Sequence, residues 1–216
     1  MRIVPLVALL LVAGSACVVG AAQPAVQGSG KVVEQPRTVG DFGAVRLEGA
    51  ADLEISVGGK PAVTVIADDN VADLITTRVD SGTLFIANDR PYRSRAGVKV
   101  RIVAPALSAL EVRGSGDSIV TGVSGERFDV AVFGSGDVTA KGAADTIAVQ
   151  IKGSGDVDLG DVTAGSADVS VFGSGDVRVN ASSTLKARIM GSGDVVYRGQ
   201  PQVERSVFGS GDIHPE

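Results

Sequence analysis

"VAVFGSGDV" (Val130–Val138) carries the fold of this chain in nine letters. Valine alternates with other residues, a glycine-flanked Ser–Asp pair interrupts the run, and a valine opens the next one. The tetrapeptide GSGD recurs with its first glycine at Gly114, Gly134, Gly153, Gly173, Gly191 and Gly209, spaced by 20, 19, 20, 18 and 18 residues. A period of that size marks a repeat architecture whose units bury their apolar faces only against each other.

Aligning the copies on the first glycine shows three apolar columns. Two residues before it stand Val112, Val132, Ile151, Val171, Ile189 and Val207; four before it stand Leu110, Val130, Val149, Val169, Ala187 and Arg205. Directly after the aspartate stand Ser118, Val138, Val157, Val177, Val195 and Ile213. β-Branched side chains at alternate positions suit a pleated surface packed on its neighbours. The pattern predicts an all-β chain, a parallel β-helix or β-solenoid with two short strands and two turns per copy. Like strands should stack about 4.8 Å apart. Arg205 interrupts its column in the last copy, as a terminal coil facing water would.

If alternation continues through GSGD, both glycines face inward and the serine and aspartate outward. Inward glycines let the wall bend where a Cβ would crowd the interior or demand positive φ. Asp117, Asp137, Asp156, Asp176, Asp194 and Asp212 then form a column in which neighbours at this spacing repel by about 0.9 kcal/mol in bulk water. Two remedies stand open. Each carboxylate can accept backbone N–H groups within its own turn, or coils can share a cation such as Ca²⁺. The first is the structural reading, so no metal is assigned, and these six aspartates are the only candidates for one. The calcium-binding β-roll motif has a period of nine and two ligand turns per coil, and half that set is missing here. The column before the motif, Arg113, Phe133, Lys152, Phe172, Met190 and Phe208, faces outward by the same parity. Either another part of the chain packs over it, or it is an exposed ridge with cation–π neighbours, a contact surface for protein or glycan.

The remaining segments set the context. In residues 1–22 Arg2 precedes a long apolar run, with Gly20 and Ala22 placed for signal-peptidase cleavage before Gln23. Lipidation at Cys17 and an uncleaved membrane anchor are the other options, and all three export the rest to the periplasm, outer envelope or medium. Residues 23–37 read as a linker. Residues 38–105 form a β-rich N-terminal part with strands at 42–47, 52–57, 62–67, 83–88 and 98–103. One helical turn capped by Asp68 or Asp69 begins the stretch 68–79, and "NDRPYRSRAG" (Asn88–Gly97) reads as a hairpin loop. The GSGD solenoid occupies 106–213.

Composition removes several function classes. A formal net charge of -5 without a Lys/Arg cluster argues against nucleic acid or an anionic membrane as partner, leaving membrane contact only through a lipid or signal anchor. One histidine, His214, and one cysteine, Cys17, leave no zinc cluster, Ser-His-Asp triad or disulfide framework. No catalytic set and no cofactor motif is found. The expected function is a non-enzymatic envelope or surface module that contacts an envelope protein or polysaccharide. Two rivals are weighed: an enzyme acting on polysaccharide, which needs two carboxylates in unlike environments, and a calcium-stabilised roll.

Repeated "GSGDV", the segment "LKARIMGSGDVVYRGQPQVERSVFGSGDI" (Leu185–Ile213) and "DNVADLITTRVDSGTLFI" (Asp69–Ile86) resemble the putative auto-transporter adhesin, head GIN domain family of bacteria. The resemblance covers about residues 38–213. It implies an exported, β-helical surface protein, often a lipoprotein, and carries no catalytic residues over. Gly14 stands where a lipobox usually has leucine.

Overall fold

The computed structural model describes residues 24–216, so the expected signal segment and Cys17 lie outside the described residues. The N-terminal part contributes β1 (Val26–Gln27), β2 (Val32–Arg37), β3 (Ala44–Gly49), β4 (Asp52–Val57), β5 (Ala62–Asp68), the one-turn helix α1 (Asp69–Ala72), β6 (Ile75–Asp80), β7 (Thr83–Asn88), β8 (Tyr92–Arg93) and β9 (Lys99–Ala104). The repeats contribute β10 (Ala109–Gly114), β11 (Ser118–Val123), β12 (Arg127–Gly134), β13 (Val138–Gly153), β14 (Val157–Gly173), β15 (Val177–Gly191), β16 (Val195–Arg198), β17 (Gln202–Gly209) and β18 (Ile213–Pro215).

The repeats stack as a parallel β-solenoid. On one face Val112, Val132, Ile151, Val171, Ile189 and Val207 are successive partners in one ladder. On the other, Ser118, Val138, Val157, Val177, Val195 and Ile213 follow in register. Between the faces lies one continuous core of Val, Ile, Leu and Ala, with Phe128 its largest fully buried side chain. The two corners of a coil differ, which the expectation of two turns per copy did not contain. The GSGD corner breaks the strand sharply. At the opposite corner β13, β14 and β15 run through without a break, and shifts in register after Thr139, Leu159 and Ala164 absorb the bend. Small residues there, Gly142, Ala144, Gly165 and Ala181, leave the backbone room to do so.

The N-terminal strands are interleaved with this stack. The first face runs β6-β7-β3-β10, and the second runs β2-β5-β9-β4-β11. The chain therefore lays down β3 and β4, places antiparallel β5 and β6 around α1 further out, returns as β9 and β7 in the gaps between these and β4 and β3, and then crosses to place β11 and β10 on the other side of β4 and β3. Gly49 pairs with Gly114, so "GAAD" (Gly49–Asp52) is a seventh corner of the same kind.

Three local expectations are corrected. Residues 32–37, within the stretch expected to be a linker, form β2, antiparallel to β5. Val33, Gln35 and Arg37 are half-buried while the residues between them are exposed, and the Arg37 guanidinium donates to the Ala72 carbonyl at 2.7 Å. That alternation satisfies an edge β5 would otherwise leave bare. Asn88–Gly97 is not a hairpin, because β7 and β9 belong to opposite faces. It is an enlarged corner standing where GSGD stands in later coils, and its β8 pairs in parallel with β1. The helical turn does begin at Asp69, but the buried Asp68 side chain caps nothing; it accepts the Gly30 N–H at 3.0 Å.

Candidate functional site

The outward residues of the first face and of the GSGD corner form one repeated surface of the molecule. The first glycine of each copy lies at φ between +142° and +150°. A Cβ on either glycine would run into the carbonyl oxygen of the equivalent residue one coil back. Of the two expected reasons for glycine, the positive φ holds at the first glycine of each copy, while the crowding comes from a carbonyl along the stack rather than from the interior. In the first five copies the second glycine is fully buried and the first half-exposed; in the last, Gly209 is exposed and Gly211 half-buried.

The aspartate column is built differently from either remedy expected for it. The carboxylate does not close its own turn. The first five each accept, at Oδ1, the backbone N–H of the aspartate in the next coil: Asp117 from Asp137 at 3.0 Å, Asp137 from Asp156 at 2.8 Å, Asp156 from Asp176 at 2.8 Å, Asp176 from Asp194 at 2.7 Å and Asp194 from Asp212 at 2.8 Å. Asp52 starts the series by accepting the Asp117 N–H at 3.1 Å. Only Asp212 folds back, onto the Ile213 N–H. These bonds to an ionised acceptor offset the mutual repulsion, and water reaches the other oxygen. Among the described residues no three His, Cys, Asp or Glu side chains converge as a metal site.

Arg113, Phe133, Lys152, Phe172, Met190 and Phe208 are cross-strand neighbours in one ladder. No described segment covers them. Phe133 and Phe172 are half-buried by their neighbours, whereas Met190 and Phe208 are 49% and 67% exposed. The Arg113 guanidinium lies 4.7 Å from the Phe133 ring centre, and Lys152 Nζ lies 5.4 Å and 5.9 Å from Phe133 and Phe172. Cations between rings fix the aromatic side chains in place. Arg113 is also held by Glu111, which bonds Arg46 at 2.7 Å across the next strand. Lys152 and Arg188 form no ion pair with any described carboxylate.

Beside the ridge runs a shallow groove of about 350 Å³ floored by Ala109, Ala131 and Ala148, with Glu111, Asp129 and Gln150 offering polar groups. Arg127 donates to Asp129 at its rim, and that carboxylate holds the guanidinium proton more tightly than usual. A second groove follows the half-exposed glycine column and ends against Pro91 and Tyr92. Burial, with Asp52 close by, pushes the Tyr92 phenol above its ordinary range. A further cluster escaped the sequence reading: Arg46 and Arg78 lie 5.2 Å and 4.3 Å from the Phe85 ring. Aligning "GAAD" with GSGD would have placed Arg46 on the same face.

Comparison with known proteins agrees with this geometry. The family described as "Putative auto-transporter adhesin, head GIN domain" matches residues 41–201. A crystal structure described as a putative adhesin from Bacteroides fragilis is 25% identical with a TM-score of 0.73, over 88% of this chain and 100% of the other. A putative adhesin from Parabacteroides distasonis is 22% identical with a TM-score of 0.64, over 89% and 100%. A putative lipid binding protein from the same organism is 24% identical with a TM-score of 0.56, over 89% and 100%. No curated protein matches the chain. No helix among the described residues is long and apolar enough to cross a membrane.

Proposed function

The chain belongs to the auto-transporter adhesin, head GIN domain family, and from that premise we propose that it is an exported, non-enzymatic binding module of the cell envelope. Its contact surface is the ridge Arg113–Phe133–Lys152–Phe172–Met190–Phe208 with the groove beside it, and its partner is an envelope protein or polysaccharide. The observation that carries this reading is the uncovered ladder: large apolar groups alternate with cations on a rigid face, and nothing described packs over them. Phe, Met and Arg are the side chains enriched where proteins meet. The aspartates, each in nearly the same environment, offer no division into acid and base of the kind hydrolysis of a polysaccharide requires.

The test is attachment. Beads coated with the protein should adhere to cell surfaces or to immobilised envelope extract. Replacing Phe172, Met190 and Phe208 together by Ser should lower adhesion about tenfold or more, with the melting temperature lowered only slightly. Undiminished adhesion by the folded variant overturns the ridge as the site.

A further inference from the structure

Among the described residues no strand covers the β17 side of the core's last coil. Among the described residues β17 pairs only with β15, and β18 only with β16. One side of β17 thus keeps its backbone donors and acceptors unpaired, which is what an added strand uses. The inward positions of β17 are Val203, Arg205 and Val207, continuing the buried columns of Leu185, Ala187 and Ile189. They open to solvent instead: Val203 is half-buried, Val207 is 37% exposed and Arg205 is exposed. Arg205 reaches the Ile213 carbonyl only at 3.5 Å and has no ion pair with a described carboxylate.

We infer that the free edge of β17 takes up an extended segment of a partner protein as a further strand, and that Arg205 selects for a carboxylate on it. The side chains of an added strand fall directly opposite those of β17. Val203 and Val207 then face apolar residues, and Arg205 faces the residue between them. The segment recognised has the pattern apolar, any, acidic, any, apolar. A purely apolar strand would bury Arg205 without a counter-charge, and a β17 edge paired about Arg205 with that of a second copy would bring two guanidinium groups together. The exposed Phe208 lies on the outer side of the same edge, with Met190 beside it on β15, and extends the area covered. Asp212 spends its Oδ1 on its own Ile213 N–H rather than offering it onward, so the corner stops the ladder and leaves the edge of β17 as the platform. This surface is separate from the groove and stands whether or not the ridge is the adhesive face, because its selector is an inward residue.

The experiment uses the full chain and two labelled synthetic peptides, Thr-Val-Thr-Asp-Thr-Val-Thr and the same peptide with Lys for Asp, read by fluorescence anisotropy. The acidic peptide should bind about tenfold or more tightly than the basic one, with new amide-exchange protection confined to β17. Arg205→Glu should reverse the preference, and Arg205→Gln should abolish it, so two variants guard against loss of fold in one. Binding of neither peptide, equal binding of both, an unchanged preference in the folded variants, or protection elsewhere overturns the inference. So does light scattering that shows the protein alone doubling its mass through this edge, since the occupant would then be a second copy.

Discussion

Gly134 and Gly125 share nearly the same backbone, φ +150° and +142°, yet only Gly134 faces another backbone at its missing Cβ. Nothing lies within 4 Å of a Cβ on Gly125, whereas one on Gly134 would overlap the Gly114 carbonyl. The two positions separate conformational strain from steric collision. Gly125→Ala should cost about 1–2 kcal/mol through strain alone. Gly134→Ala should cost about 3–5 kcal/mol, because strain and overpacking act together and a sheet carbonyl has nowhere to retreat. Urea denaturation of both variants checks the order; equal costs would mean that φ alone demands the glycine. The GSGD glycines were legible in the sequence as obligatory, and so was the positive φ of the first, but the collision was not, since the colliding carbonyl belongs to a residue about one coil away.

At the scale of the element, the aspartate ladder shows how a parallel sheet tolerates a line of like charges. Asp156 accepts the Asp176 N–H with one oxygen, and its own N–H is bonded by Asp137. Asp156→Asn retains an acceptor oxygen and removes one charge from the row, so stability should stay level or rise by up to about 1 kcal/mol. Asp156→Ala removes the acceptor and should cost about 1–2 kcal/mol. Denaturation at low salt reads both, and a costly Asn variant would show that the charge itself is needed. β2 carries a second lesson. Its Pro36 and polar residues resemble a linker in isolation, and only the bare edge of β5 gives the alternating half-burial of Val33, Gln35 and Arg37 a meaning.

For the whole molecule, spatial order departs from chain order. β3 and β4 sit between β7–β9 on one side and β10–β11 on the other, so the repeats rest on a coil made by the N-terminal part. A fragment of residues 106–216 would expose the edges of β10 and β11 together with the core end beneath them. Such a fragment should lose cooperative melting or self-associate, while the full chain melts in one transition; circular dichroism and light scattering decide between them. A monomeric fragment with a cooperative melt would show that the repeats need no foundation. Ladders made almost wholly of long-range contacts also predict slow folding.

The sequence by itself determined the solenoid, the register of its columns, the outward parity of the Arg113–Phe208 column and the break at Arg205, because each depends on a period that the letters carry. Only the tertiary structure decided that the N-terminal coils interleave, that the aspartates bond forward along the stack, that Asn88–Gly97 is a corner and that one edge of β17 has no partner among the described residues. Those outcomes rest on which distant strand comes to lie alongside another. Repetition fixes neighbours among like units, but where the repeat is imperfect the choice of neighbour follows from burial and backbone pairing in the assembled fold.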